Sequence, residues 1–207
     1  MEIIWLGHAC FRLRAREATV VTDPYDNKVT GYTLNRPSAD LVTVSIDDPA
    51  HNNAGGVGGD PRVIDAPGEY EIAGASVIGV PLPGKDGRTV AYVIDLEDMR
   101  IAHLGATAAV PRTEEIEEFS DVDVLLVPVG GGLALDAAAA AETVSLIGPK
   151  LVMPMHYKTP AEKQKLDPVD RFLKEMGGKP GETFQKLSVT RSSLPEETQV
   201  VVLEYRR

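Results

Sequence analysis

Short apolar runs broken by polar residues open the chain, and their period of two predicts strands at 2–6 (EIIWL), 11–14 (FRLR) and Thr19–Thr22. Gly7 and Arg16-Glu17 mark the turns between them. Asp23-Pro24 stops the third strand, because a proline nitrogen has no hydrogen to give to a ladder. Residues 40–45 (DLVTVS) predict a buried strand, and the glycine-rich stretch 54–61 (AGGVGGDP) predicts a turn or a close backbone approach. That stretch is no phosphate loop, since no Lys-Ser/Thr follows it. Further strands are expected at 62–65, 75–80, 89–96 and 100–104, with GKDG at 84–87 as a hairpin turn.

The pattern then changes to alternating helix and strand. Thr113 is placed to cap a short helix with an acidic first turn, and 123–128 (DVLLVP) and 151–155 (LVMPM) predict fully buried strands. Asp136 caps an alanine-rich helix over 137–147, in which Ala140, Val144 and Ile147 share a face and Gly148-Pro149 ends the run. Asp167-Pro168 starts a third helix with proline at its first position, with Phe172, Leu173 and Met176 on its apolar face. Residues 187–190 and 199–205 are expected to pair with each other as the last two strands. This order predicts one domain over 1–207, built from two sheets with helices outside.

Composition narrows the function classes. Hydrophobic residues make up 43% and charged residues 25%, an ordinary globular balance. The 31 acidic and 21 basic residues leave a net charge of −10, which repels phosphate backbones and anionic lipid surfaces, so neither nucleic acid nor a membrane is an expected partner. Cys10 is the single cysteine, so neither a disulfide framework nor a cysteine-rich zinc site is expected. The start of the chain has no signal-peptide pattern and no apolar run spans a bilayer, so a cytoplasmic setting is expected. A homo-oligomer and a small-molecule ligand are the partners left open.

Three loops at strand ends carry the polar chemistry: 45–53 (SIDDPAHNN), 103–107 (HLGAT) and 154–159 (PMHYKT). Together with WLGHACF at 5–11, TDPY at 22–25 and LLVPVGG at 125–131, they resemble the metallo-β-lactamase fold. The small stand-alone hydrolases that include ascorbate-6-phosphate lactonase-like proteins are the branch they look like. The resemblance runs over nearly the whole chain in the same order. It implies an α+β, four-layer αββα sandwich with the active site at one edge of the two sheets.

The same resemblance implies that the family's ligand set is depleted. Aligning the last histidine of the signature loop H-x-H-x-D-H with His51 puts Ile46 and Asp48 at the first two histidine positions and Ala50 at the aspartate. The mid-chain histidine falls in 80–84 (VPLPG), which has none, and the bridging aspartate is replaced by Ala106. The final histidine is His156. Asp48, His51 and His156 are thus the implied metal ligands. His8, Asp23, His103 and Tyr157 are expected to line the pocket or support the ligands, with Asp23 orienting a ligating histidine.

Each residue also has a plainer role. His51 suits a solvated loop, His156 and His8 suit hydrogen-bonded structural histidines, Asp48 and Asp23 suit turn acids, and Cys10 suits a small buried hydrophobe. Lys158, Lys163 and Lys165 suit a solvated face. The expectation is a metal-dependent hydrolase homologue whose binuclear site is largely lost: a weakly active or inactive scaffold, with no metal or with one divalent ion. Zinc leads for that ion, ahead of manganese and iron. The alternative is an active one-metal hydrolase of a small ester, lactone or phosphoester, because two imidazoles and a carboxylate make a usable ligand set. A metal-independent enzyme with His51 or His156 as general base is a third reading. Glu69, Glu71 and Asp86 stand by as further loop carboxylates.

Overall fold

The computed structural model describes residues 1–178 and 183–205. The first sheet has six strands in the order β13-β1-β2-β3-β4-β5. These are β1 (Glu2–Gly7), β2 (Cys10–Arg14), β3 (Thr19–Thr22), β4 (Leu41–Thr43), β5 (Arg62–Ile64) and β13 (Leu187–Ser188). The second has seven, in the order β14-β11-β10-β9-β8-β7-β6. They are β6 (Gly68–Ile72), β7 (Ala75–Gly84), β8 (Gly87–Leu96), β9 (Met99–His103), β10 (Val124–Pro128), β11 (Leu151–Met155) and β14 (Gln199–Val200). β12 (Thr183–Phe184) and β15 (Val202–Leu203) form a small parallel pair beside them.

Strand alternation explains how the layers stack. In the first sheet Ile3, Trp5, Phe11, Leu13, Val20 and Leu41 point inward and share one core with Val77, Ala91, Val93, Ile101 and Leu125 of the second sheet. Their neighbours Cys10, Val21 and Val42 point the other way and pack under Tyr25, Tyr32 and Val57. That outer cover, drawn from residues 25–40 and 44–58, contains the short helix α1 (Asn27–Thr30) and one 3-10 turn over Ala54–Gly56. β10 and β11 are buried throughout and run parallel, as strands covered on both faces do. α3 (Ala137–Ile147) packs on β10 and against α4 (Val169–Glu175). The structure is therefore the α+β sandwich of two mixed sheets that the sequence implies.

Several local expectations are corrected. β7 runs on to Gly84 rather than stopping at Val80, because Pro81 and Pro83 lie beyond the reach of β6, whose last partner is Gly79. β6 is not among the expected strands; only Tyr70 and Ile72 pack half-buried against the core and the rest is exposed, so its alternation is too short to stand out. The two terminal segments do not pair with each other. β13 joins β1 in the first sheet, and β14 joins β11 in the second. Each open sheet edge offers unpaired backbone groups, and these outcompete a local hairpin. Arg112, not Thr113, is the cap of α2 (Thr113–Ile116), with its amide donating to Glu115. Pro168 stands one residue outside α4, still extended. The Asp136 cap holds, accepting from the Ala139 amide at 2.9 Å. Among the described residues no helix is long and apolar enough to cross a membrane.

Candidate metal centre

Chain segments leaving β1, β3, β4 and β11 meet at one edge of the sandwich, and each delivers one ionisable side chain. His8 sits in the two-residue turn between β1 and β2, Asp23 directly follows β3, His51 lies in the loop after β4 and His156 directly follows β11. His8, Asp23 and His156 all have left-handed backbones, with φ of 51°, 38° and 52°. Such conformations cost about 1–3 kcal/mol each and persist where the surroundings impose them. Here they do. The His8 carbonyl accepts from the Trp5 indole at 3.1 Å and from the His156 amide at 2.9 Å, tying the two turns together. Gly130, where the chain leaves β10, must be glycine: a Cβ there would run into the His156 carbonyl and lie 2.9 Å from the Tyr157 Cα.

The three imidazoles converge. Ring centroids of His8 and His156 are 4.4 Å apart, those of His8 and His51 5.0 Å, and those of His51 and His156 5.9 Å. One nitrogen from each ring lies within 4.8 Å of the others. All three residues are 0% exposed. Each outer nitrogen that has a partner is bonded to a carboxylate: His8 Nδ1 lies 2.9 Å from Glu162 Oε2, and His51 Nδ1 lies 2.8 Å from Asp23 Oδ2. Among the described residues, His8 Nε2, His51 Nε2 and both nitrogens of His156 have no hydrogen-bond partner.

Buried polar atoms left unpaired cost about 1–3 kcal/mol each, so several in one spot call for an explanation. A divalent metal ion supplies one. Three neutral imidazoles facing one point are a known zinc ligand set, and carboxylates on their far nitrogens are the usual support. The donors present fit one ion of the imidazole-preferring kind.

Electrostatics agree with neutral rings at His8 and His156. Burial pushes His8 and His156 well below the usual histidine range, and their neighbouring imidazoles push the same way. Burial would raise Asp23, but the nearby His103 and hydrogen bonds from His51 and Ser45 outweigh it and hold the carboxyl below its ordinary value. Ser45 contributes both its amide, at 2.8 Å, and its hydroxyl, at 2.5 Å. Burial raises Glu162 to about 7 against the lowering pull of the Gln164 amide and Lys158.

Of the sequence-derived site residues, the structure brings His51 and His156 together and sets Asp23 behind His51. Asp48 is a correction: its carboxylate accepts from the Ala50 amide at 2.8 Å in a half-exposed turn and does not join the three-histidine group. His8, which the sequence places in the pocket lining, takes the third place in the group. The signal for it was local: Gly7, with φ of 108° and no room for a Cβ beside the Tyr32 ring 2.6 Å away, marks a forced turn that aims the next residue. His103 is not part of the three-histidine group; its Nε2 donates to the Ala9 carbonyl at 2.8 Å, beside Asp23. Tyr157 stacks on Trp5 at 4.9 Å inside the core. Ile46 is half-buried, while Ala50 and Ala106 are buried and offer no ligand atom. Glu69, Glu71 and Asp86 are exposed and outside the three-histidine group. Glu162 went unrecognised, because nothing in PAEKQ at 160–164 distinguishes it from a surface acid.

A two-sheet sandwich with a histidine cluster at its edge defines a metallo-β-lactamase-type fold, and comparison with known proteins agrees. The profile of the Beta-lactamase superfamily domain matches residues 2–156. A UPF0173 protein of Pyrococcus furiosus is 30% identical over 206 residues, covering 85% of this chain and 90% of that one. A UPF0173 metal-dependent hydrolase of Methanosphaerula palustris is 29% identical over 198 residues, covering 81% of this chain and 88% of that one. A Thermotoga maritima structure, provisionally assigned as a Zn-dependent hydrolase of the metallo-β-lactamase superfamily, superposes with a TM-score of 0.81. It is 36% identical, over 98% of this chain and 97% of that one. The chain belongs to the β-lactamase superfamily, among relatives named as metal-dependent hydrolases.

Proposed function

We propose that the protein is a hydrolase that uses one metal ion, held by His8, His51 and His156, to cleave a small ester, lactone or phosphoester. The observation that carries this reading is the group of unpartnered nitrogens on three buried imidazoles, two of them backed by carboxylates. Zinc is the expected ion, because imidazole donors without a direct carboxylate favour it over manganese or magnesium. Bound there, the ion would lower the pKa of a water and polarise the substrate's carbonyl or phosphoryl oxygen. The chain's own residues prepare the site. Asp23 and Glu162 hold the far nitrogens of His51 and His8, the left-handed turns aim the rings, and Ala50 and Ala106 leave no ligand for a second ion. A small-molecule substrate goes with the net charge of −10, which disfavours nucleic acid and anionic membranes.

The complete burial of the three rings favours a second reading, a closed metal-holding scaffold without turnover. One experiment separates the two. The protein is purified, its metal measured, and p-nitrophenyl acetate, a simple lactone and bis-p-nitrophenyl phosphate are offered with and without chelator. About one ion per chain, with turnover abolished by chelator and in His51→Ala, supports the hydrolase. Retained metal that raises thermal stability without any turnover supports the scaffold. Turnover that ignores chelator and follows a histidine pH profile would refute both.

A further inference from the structure

Glu162 is 2% exposed, yet it lies in a segment of polar residues between β11 and α4. That segment is anchored without the carboxyl group. The Thr159 hydroxyl accepts from the amides of Ala161 and Glu162, at 3.3 Å each, and pairs with the Tyr32 hydroxyl at 2.8 Å. The Lys163 amide donates to the Thr30 carbonyl at 2.9 Å, and the Lys158 ammonium donates to the Glu162 carbonyl. The carboxyl itself has two partners, the Gln164 amide at 3.0 Å and His8 Nδ1 at 2.9 Å. Burying a carboxyl group on a segment already held elsewhere is costly unless it serves the group it meets.

That group is the ring whose other nitrogen, Nε2, is free in the three-histidine cluster. Charge gives a second reason. Three neutral imidazoles bring no negative charge to a buried divalent cation. Asp23 and Glu162, hydrogen-bonded to the outer nitrogens of His51 and His8, are the acids placed to balance it.

We propose that Glu162 is a positioning residue of the metal centre: by accepting the Nδ1 hydrogen of His8 it fixes the tautomer whose Nε2 lone pair faces the cluster. It thereby makes the histidine of the β1–β2 turn the third ligand, in place of the carboxylate that Ala50 does not supply. The inference rests on the reading of the cluster as a metal centre.

The test compares the wild type with Glu162→Gln, Glu162→Ala, His8→Asn and the Glu162→Ala/His8→Asn pair. Zinc affinity is read by competition with a chromophoric chelator, ligand geometry by the visible spectrum of the cobalt-loaded protein, and the ring tautomer by proton–nitrogen correlation in the metal-free state. Glu162→Ala is expected to weaken zinc binding by about 10–100-fold, change the cobalt spectrum and mix the His8 tautomers. Glu162→Gln keeps the shape and an accepting oxygen and retains part of the affinity, which guards against a variant that merely fails to fold. In the His8→Asn background Glu162→Ala has no further effect. The inference is overturned if Glu162→Ala keeps wild-type affinity and spectrum, or if its loss is equally large in the His8→Asn background. A wild type that binds no zinc overturns the metal centre as a whole. A wild type that binds zinc alongside indifferent Glu162 variants overturns this inference alone.

Discussion

Acidifying the metal-free protein from pH 7.5 to 5.5 probes the buried imidazoles directly. His8, His103 and His156 each have a folded-state pKa pushed by burial below the usual 6.5, so they stay neutral in the fold where the unfolded chain takes up protons. Glu162 acts with the opposite sign. Its carboxyl, raised to about 7 from 4.5, already holds a proton in the fold that the unfolded chain releases. Below about pH 6.5 the unfolded chain therefore takes up imidazole protons that the fold disfavours, while above about pH 4.5 it releases the carboxyl proton that the fold favours. Stability rises with pH wherever the unfolded state binds more protons, and the imidazoles outnumber the one opposing carboxyl, so it falls on acidification, by about 1.4 kcal/mol per pH unit for each net proton taken up. Against a total of about 5–15 kcal/mol, one unit below pH 6 removes a large share. The assay is the urea midpoint of the chelator-treated protein at pH 7.5, 6.5 and 5.5. A sharp fall at the last value is expected. An unchanged midpoint would refute the claim that these rings are buried and neutral.

Other consequences follow from single contacts. Asp23→Ala leaves the Ser45 amide, the Ser45 hydroxyl and His51 Nδ1 without their acceptor, and a loss of about 3–5 kcal/mol is expected in chemical denaturation. Asp48→Ala removes only a turn contact to Ala50, so it should cost no more than about 1 kcal/mol and leave metal stoichiometry unchanged by elemental analysis. Gly130→Ala forces a methyl group into the backbone at His156 and Tyr157, and a destabilisation of about 1–3 kcal/mol or more is expected in thermal unfolding.

Much of the fold was legible in the sequence because its signals are local. Period-two runs marked β1, β2 and β3, the continuous apolar runs marked β10 and β11, and Asp136 with Gly148 bracketed α3 to the residue. Motif order along the chain was enough to imply the superfamily. What stayed hidden depended on partners far away in the chain. Whether β7 continues through Pro81 and Pro83 depends on where β6 ends, and where β13 and β14 go depends on which sheet edges lie open.

The site divides the same way. His51, His156 and Asp23 were visible because each sits in a motif at a strand end, where position along the chain already implies position in the fold. Aligning a signature loop, however, counts ligands by sequence position, and by that count Asp48 was a ligand and His8 was not. A metal ion is held by nitrogens that share a point in space. His8 reaches that point from a turn 43 residues before His51, and Glu162 lies 154 residues from the ring it holds. Sequence alone determined the layers and the edge at which chemistry sits. Only the packing of the two sheets decided which side chains meet there, because convergence is a property of three-dimensional distance that no spacing along one chain encodes.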